Sequence, residues 1–428
     1  MVADSLPRSV APNTVTLVGL LFSLFSSILT LLFNPSLGPE GPRWLHLVAG
    51  ICLFVYQTLD NVDGQQARRT GTSSPLGMLF DHGCDAINSI ISLFSLSSVF
   101  GVGWTGGLFL ALFAGYVPFY IQTWEEYYLE EMSLPVVNGP TEGLLVVMVA
   151  SIISFWVGAH YWQTPIDGKS LPNYFCDTVL SNDFIQFPSL QSAMCVDTTP
   201  FVVLCFATVF AVFATFFFQF FNIVRKVAER EGSADLYGLF KTMIRLSFDL
   251  LPASSFFVCC LLWLSFSREA LHDYPIVSLL FIGVVFVENV TQLMIDHICK
   301  TPVTVTQRLL ILPILLLTLN TTSFVFQFNE MKFVSRSFTE GHGKHWDLIS
   351  WHLGALNGSI CADYVTPLVP ERYVVYPLFV LTFLRLVVKI YRVVEEAAEA
   401  LGIYVFRTDK KTLMTKEEIR RHDPCICM

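Results

Sequence analysis

Long apolar runs separated by shorter polar segments make up most of the chain. A helix needs about 20 mostly apolar residues to cross the hydrocarbon core of a bilayer. Ten runs approach that length, near 14–33, 43–60, 80–101, 104–123, 142–162, 200–222, 246–266, 275–297, 307–327 and 373–395. Their apolar residues are continuous rather than alternating, and backbone hydrogen bonds in lipid must close within a helix or a barrel. The pattern therefore predicts an all-α polytopic membrane protein with about ten transmembrane helices.

The composition points to the same class of protein. Of the 428 residues, 53% are hydrophobic and 14% are charged, whereas soluble domains carry about 25% charged residues. The net charge is −9, and no block of Lys and Arg interrupts the chain. These features exclude a nucleic-acid partner and indicate a protein surrounded by membrane lipids.

Basic residues give the predicted orientation. Lys and Arg in short loops favour the cytosolic side of a membrane, and they concentrate on the side that holds the loop after the second run and the C-terminal tail. We therefore expect that loop to face the cytosol. Three regions are predicted: six transmembrane helices at 1–222, a four-helix membrane region at 223–408 and a cytosolic polar tail at 409–428.

Four aspartates break the apolar pattern where the second run ends and the third begins. Asp60 and Asp63 are three residues apart, and Asp81 and Asp85 are four apart, so each pair shares one face of a helix. Ionisable groups within membrane spans are costly and generally mark function. Turn-forming residues between the pairs, namely Gly64, Gly71, Pro75 and Gly77, are expected to let the two helices return antiparallel. All four carboxylates are then predicted to converge.

Converging carboxylates repel one another or take up protons unless cations are present. Two divalent ions bring a charge of +4 against −4, and all-oxygen ligands suit Mg²⁺ or Mn²⁺. Paired ions of this kind, about 4 Å apart, hold phosphoryl groups during displacement reactions. Two other interpretations stay open. Arg68 and Arg69 could neutralise the aspartates in a purely structural arrangement, or the aspartates could line the cation path of a membrane transporter.

The spacing of these residues resembles a known signature. Its defined positions are Asp60, Asp63, Gly64, Ala67 and Arg68, followed after eight residues by Gly77, Asp81 and Asp85. With this pattern the chain resembles the CDP-alcohol phosphotransferase family, class I. Three surrounding stretches are similar to the eukaryotic choline/ethanolaminephosphotransferase, or aminoalcoholphosphotransferase, branch: Pro12-Asn13, NGPTEGL at 138–144 and LGIYVFRT at 401–408.

The resemblance implies a reaction and its partners. A member of this branch transfers phosphocholine or phosphoethanolamine from CDP-choline or CDP-ethanolamine to diacylglycerol, and releases CMP. It implies two Mg²⁺ or Mn²⁺ ions, a position in the endoplasmic reticulum or Golgi membrane with the active site facing the cytosol, and allows a homodimer. A related enzyme that uses another acceptor, such as inositol, stays open as the alternative.

Site residues follow from the same resemblance. Asp60, Asp63, Asp81 and Asp85 are expected to bind metal. The general base is expected to be His82, oriented by Glu142, with Asp85 as the other candidate for that role. A capping or hydrogen-bonding role for His82, and a helix N-terminal role for Glu142, are the structural alternatives. The resemblance places Asn13, Gly64 and Arg68 at the nucleotide, where the guanidinium of Arg68 matches phosphate oxygens.

Overall fold

The computed structural model of the chain describes residues 2–130, 139–166, 199–233, 235–266, 270, 273–302 and 369–408. These residues contain helices and turns and form no β-strand. We number the α-helices in chain order. They are α1 (Val2–Ser5), α2 (Pro12–Phe33), α3 (Arg43–Thr70), α4 (Pro75–Phe100), α5 (Gly106–Leu129), α6 (Gly139–Val157), α7 (Pro200–Arg230), α8 (Leu236–Phe266), α9 (Pro275–Cys299) and α10 (Arg372–Ala400). A short 3-10 helix at Ala159–Gln163 follows α6.

Nine of the ten apolar runs coincide with helices, from α2 to α10, and the run at 307–327 lies outside the described residues. Within the described residues, seven helices are long and apolar enough to cross a membrane, namely α2, α3, α4, α7, α8, α9 and α10. A shorter apolar stretch, Gly143–Val157, lies in α6. The all-α membrane fold is thereby confirmed, and the count of ten helices is approximate.

The helix α9 forms the centre of the bundle and packs against α4, α5 and α10. Gly283 lets it approach α4 closely, because a Cβ atom at this position would lie 2.5 Å from Ile90 Cδ1. On the other side, the rings of Tyr116 and Phe286 stack with centroids 3.8 Å apart. These contacts make α9 the most deeply buried of the candidate membrane spans in the described part of the chain.

Small polar residues join α2 to α4. Ser26 Oγ lies 2.9 Å from Ser95 Oγ, and Ser27 Oγ donates to the Ile91 carbonyl at 2.7 Å. Small residues of this kind let membrane helices come close, and their hydroxyls bond across the interface. These contacts hold the second halves of α2 and α4 together. At the other end, Asn13 at the start of α2 lies near Gly77 at the start of α4, the helix that carries Asp81 and Asp85.

The connection between α3 and α4 is shorter than the sequence pattern indicates. The helix α3 continues beyond its apolar run to Thr70, because the polar residues that follow are also compatible with a helix. Gly71, at a φ of 69°, ends it in the left-handed conformation. Ser74 Oγ then accepts a hydrogen bond from Gly77 N at 3.1 Å and caps α4. Gly64, Pro75 and Gly77 were expected in the loop, but all three lie within helices.

Candidate active site

The antiparallel arrangement of α3 and α4 brings the aspartates together. Asp60 and Asp63 lie within about the last three turns of α3, and Asp81 and Asp85 within about the first three turns of α4. One carboxylate oxygen each from Asp60, Asp63 and Asp81 lies within 4.8 Å of the other two. Neighbouring oxygens around a Mg²⁺ ion, bound at about 2.1 Å, are separated by about 3 to 4 Å. The three carboxylates thus need little adjustment to share one ion.

Two hydroxyl groups donate hydrogen bonds to carboxylates of the cluster. Thr16 Oγ1 in α2 donates a hydrogen bond to Asp63 Oδ2, and the Tyr56 hydroxyl in α3 donates to Asp85 Oδ1. Asp85 is also close enough to interact directly with Asp60. Such partners fix the orientation of metal-binding carboxylates. The sequence pattern did not single out Thr16 or Tyr56, since each is an ordinary residue within an apolar run.

The cluster suits divalent cations on the chemistry of its donors. Asp60 Oδ1 and Asp81 Oδ1 are buried and have no hydrogen-bond partner among the described residues. Within the same part of the chain, none of the four aspartates forms an ion pair with Lys or Arg. Buried carboxylates without a partner are strongly unfavourable. An all-oxygen donor set with this unmet demand for positive charge fits Mg²⁺ or Mn²⁺.

His82 lies next to the cluster and is oriented from two sides. Its Nδ1 lies 3.1 Å from the Met78 carbonyl of its own helix, and its Nε2 lies 3.1 Å from Glu126 Oε2 of α5. A carbonyl only accepts hydrogen bonds, so Nδ1 carries a proton and donates it. This leaves Nε2 as the nitrogen that can gain and lose a proton, in contact with a carboxylate.

Glu126 is the carboxylate that the described structure places at His82, and the sequence pattern did not predict it. Both side chains are largely buried, with 12% of His82 and 13% of Glu126 exposed. The available signal was the acidic pair Glu125-Glu126 at the end of an apolar, aromatic-rich run. The backbone of Glu142 lies in the first turns of α6, whereas its side chain is outside the described residues. Its expected role therefore stays a prediction.

The residues expected at the nucleotide lie at the end of α3 and near the starts of α2 and α4. Gly64 follows Asp63 directly, and Arg68 lies one turn later with Nη1 only 3.7 Å from where a Cβ of residue 64 would be. A side chain at position 64 would thus occupy space in front of this guanidinium. Asn13, in the first turn of α2, has its Oδ1 3.7 Å from the corresponding Cβ position of Gly77. Gly64 and Arg68 thus lie together near the end of α3, and Asn13 lies beside Gly77 at the start of α4.

A segment after α10, residues 401–408, packs against Asn13 of α2 and Phe80 of α4. The carbonyl of Val405 accepts a hydrogen bond from Asn13 Nδ2 at 2.8 Å, across 392 positions of sequence. The Phe406 ring contacts the Phe80 ring edge-on, with centroids 5.7 Å apart, and Phe80 directly precedes Asp81. The sequence singled out this segment as part of a resemblance, without placing it. The structure brings it to the site.

Comparison with known proteins identifies the family. Residues 9–164, which contain the four aspartates and His82, match the family model described as CDP-alcohol phosphatidyltransferase. Over 297 residues the chain is 34% identical to choline/ethanolaminephosphotransferase 2 of Arabidopsis thaliana, in an alignment that covers 69% of this chain and 70% of that protein. The chain belongs to the CDP-alcohol phosphatidyltransferase family.

Two further relatives are similar to this chain over different lengths. Choline/ethanolaminephosphotransferase 1 of Arabidopsis thaliana is 34% identical over 298 residues, which cover 69% of this chain and 70% of the relative. Cholinephosphotransferase 1 of Saccharomyces cerevisiae is 38% identical over 176 residues, or 41% of this chain and 45% of the relative. The resemblance expected from the motif is confirmed, and the apolar helices agree with an integral membrane protein of this family.

Proposed function

We propose that the protein transfers phosphocholine or phosphoethanolamine from CDP-choline or CDP-ethanolamine to diacylglycerol. The products are phosphatidylcholine or phosphatidylethanolamine, and CMP. One observation carries the proposal: three carboxylates converge beside an oriented histidine, in a chain whose relatives are choline/ethanolaminephosphotransferases. In this proposal the lipid hydroxyl approaches the ends of α3 and α4 from the bilayer, and the nucleotide approaches them from water.

The metal-binding residues in this proposal are Asp60, Asp63, Asp81 and Asp85. Two Mg²⁺ or Mn²⁺ ions held there would supply the positive charge that offsets the carboxylates and the diphosphate of the nucleotide. The hydrogen bonds from Thr16 and Tyr56 keep two of these carboxylates in a fixed orientation. Arg68 contributes a further cation for phosphate oxygens, and Gly64 leaves room for the diphosphate to approach.

The hydroxyl of diacylglycerol must lose its proton as it attacks. In our proposal the oxygen of that hydroxyl bonds to the phosphorus that carries the aminoalcohol, the bond from that phosphorus to the CMP oxygen breaks, and the proton passes to His82 Nε2. The contact with Glu126 stabilises the protonated ring, while the Met78 carbonyl fixes the tautomer. Asp85 is the alternative base, and Glu142 is the second candidate for orienting His82.

The surroundings of the reaction are part of the proposal. The basic residues of the short loops support an active site that faces the cytosol. The branch to which the motif is similar suggests the endoplasmic reticulum or Golgi membrane and allows a homodimer. We further propose that 1–222 forms the catalytic core, 223–408 the C-terminal membrane region and 409–428 a cytosolic tail. Selective permeabilisation of the plasma membrane, with a protease that reaches only cytosolic segments, tests the orientation.

Release of CMP by purified protein tests the reaction. Protein in detergent receives diacylglycerol and Mg²⁺ together with CDP-choline, CDP-ethanolamine or no nucleotide, in parallel with the Asp81→Asn and His82→Ala variants. We expect CMP only with an ester, almost none in Asp81→Asn and less in His82→Ala than in the unaltered protein, and the preferred ester identifies the head group. CMP release with inositol in place of diacylglycerol would favour the related-acceptor alternative. Absence of CMP release under every condition would contradict the proposal and favour the transporter alternative.

A further inference from the structure

A cavity with charged residues in its lining lies at the C-terminal end of α5, the helix whose Glu126 contacts His82. It has a volume of about 460 Å³ and lies where the C-terminal ends of α5, α7 and α9 meet the first half of α8. Ligand sites in proteins typically have about 300 to 1,000 Å³. The lining residues that matter here are Tyr127, Tyr128, Arg230, Glu231, Arg245 and Asp249.

The cavity carries two cations and two anions. Arg245 Nη2 lies 2.7 Å from Glu231 Oε1, and these side chains are 50% and 43% exposed. Asp249 Oδ2 accepts a hydrogen bond from the Tyr128 hydroxyl at 2.5 Å. Arg230 donates to the carbonyls at the end of α5, so its main task is to hold that helix. The exposed guanidinium of Arg245 and the carboxylate of Asp249 are one turn apart on α8 and offer opposite charges to one ligand.

This pattern of charge favours a zwitterion. An anion alone would meet Glu231 and Asp249, and a cation alone would meet the arginines, whereas a phosphate ester with an ammonium group can satisfy both. Arginine binds phosphate oxygens through its planar fork. The faces of Tyr127 and Tyr128 add favourable surface for an ammonium group.

The surface beside the cavity distinguishes a lipid from a soluble ester. Phe240, Ile244, Phe248 and Leu251 form an exposed apolar stripe along α8, at positions three or four apart, as on one face of a helix. Ile244 and Phe248 each directly precede one of the charged pair Arg245 and Asp249. Acyl chains can lie along this stripe while the head group lies in the cavity. A soluble phosphate ester would leave the stripe unused.

We propose that this cavity binds the head group of a zwitterionic phospholipid, with phosphate at Arg245, ammonium at Asp249 and the tyrosines, and acyl chains along the α8 stripe. The site shares no residue with the aspartate cluster. On α5, Glu126 contacts His82 of α4, while the next residue, Tyr127, donates a hydrogen bond to the Thr301 carbonyl after α9. The proposal therefore does not depend on the transfer reaction, although the products proposed above belong to the same lipid class.

Native mass spectrometry of the full chain in detergent tests the site. Phosphatidylcholine, phosphatidylglycerol and soluble glycerophosphocholine are added separately at equal concentration. We expect a bound phosphatidylcholine to be at least about fivefold more abundant than phosphatidylglycerol, because only the former carries both charges. The species with bound glycerophosphocholine should have a low abundance. Equal binding of glycerophosphocholine and phosphatidylcholine would overturn the assignment to a lipid, and equal binding of the two lipids would overturn the zwitterionic site.

Two variants separate a lost site from a misfolded protein. Arg245→Gln should lower phosphatidylcholine binding about tenfold, and Asp249→Asn, which can still accept from Tyr128, should shift the preference towards phosphatidylglycerol. A folding defect would lower the binding of both lipids and would not change the preference between them. Arg225→Gln is the matched control, because Arg225 is an exposed arginine on α7 that pairs with Glu229. Unchanged phosphatidylcholine binding in both Arg245→Gln and Asp249→Asn would overturn the proposal. Loss of phosphatidylcholine binding in Asp81→Asn would overturn it as well.

Discussion

A buried glutamate in α9 and the cluster of aspartates in α3 and α4 have opposite surroundings. Glu288 in α9 is completely buried, and its Oε1 lies 3.0 Å from Arg385 Nε of α10. Lys389, one turn further along α10, interacts with the same carboxylate. The aspartates of α3 and α4 are also partly or fully buried, yet within the described residues they have no Lys or Arg partner.

The difference shows what separates a structural from a functional charge inside a membrane protein. A buried carboxylate needs a compensating cation or hydrogen-bond donors. For Glu288 the fold itself provides one, so the contact holds α10 against α9. For the aspartate cluster the described residues provide no such cation, and the Mg²⁺ or Mn²⁺ ions of our proposal would supply the charge. The partner of a buried charge, rather than its depth, indicates its role.

The largest expected effect comes from Asp81→Asn. Since Asp81 contributes one of the three convergent oxygens, we expect CMP release to fall by at least about 10³-fold. Mg²⁺ should raise the melting temperature of the unaltered protein through binding to the folded state and should have little effect on the variant. Retention of a tenth of the activity, or an equal response to Mg²⁺, would contradict the comparison.

Breaking the pair between Glu288 and Arg385 should affect stability instead. Arg385→Gln leaves a fully buried carboxylate with only Lys389 to compensate it. We expect a loss of about 2 kcal/mol of stability in detergent, below the 3 to 5 kcal/mol typical of fully buried pairs because Arg385 is half exposed. Activity per folded molecule should be retained. Glu288→Gln is the matched control and should cost less, and a larger loss in that control would be inconsistent with our interpretation.

The contact between Glu126 and His82 should affect turnover more than nucleotide binding. Glu126→Gln keeps the shape but removes the charge that stabilises the protonated ring, and we expect kcat to fall about 30-fold with little change in the KM for the CDP ester. Glu125→Gln is the neighbouring control, because Glu125 accepts hydrogen bonds from Gln219 and Asn222 of α7. A rise in KM at constant kcat would assign Glu126 to substrate binding.

A smaller effect is expected for the segment after α10. Phe406→Ala removes the ring that contacts Phe80 beside Asp81, and we expect kcat/KM to fall about fivefold, with recovery in Phe406→Leu. Tyr404→Ala changes a neighbouring aromatic residue that contacts Arg407 instead. Equal losses in both variants would mean that the segment acts through general packing.

The smallest effect is expected for an exposed ion pair at the C-terminal ends of α5 and α9. Lys300 Nζ lies 2.8 Å from Glu130 Oε1 and lowers the pKa of that carboxyl below its ordinary value. The stabilisation is therefore present above the pKa of the unfolded state and is lost as the pH falls through the lowered folded value. Lys300→Gln should lower the melting temperature by about 1 °C or less near pH 7, with no difference below about pH 3. A larger difference in acid would contradict this sign.

The amino-acid sequence by itself determined the class of fold and the convergence of the aspartates at the site. Apolar runs near the length of a membrane span predict helices because the bilayer leaves the backbone no other local solution, and nine runs coincide with α2 to α10. The spacing of Asp60, Asp63, Asp81 and Asp85 predicts convergence because helical periodicity places each pair on one face. Both inferences depend on residues that are close in the chain.

Only the tertiary structure decided which distant groups complete the site. Helix α3 runs on to Thr70 because a polar sequence can remain helical after its apolar run ends. The pairing of Glu126 with His82, and of Asn13 with Val405 across 392 positions, has no counterpart in local spacing. These contacts depend on how α5 and the segment after α10 pack against α2 and α4. Periodicity along one helix carries no information about which side chain of another helix will meet it.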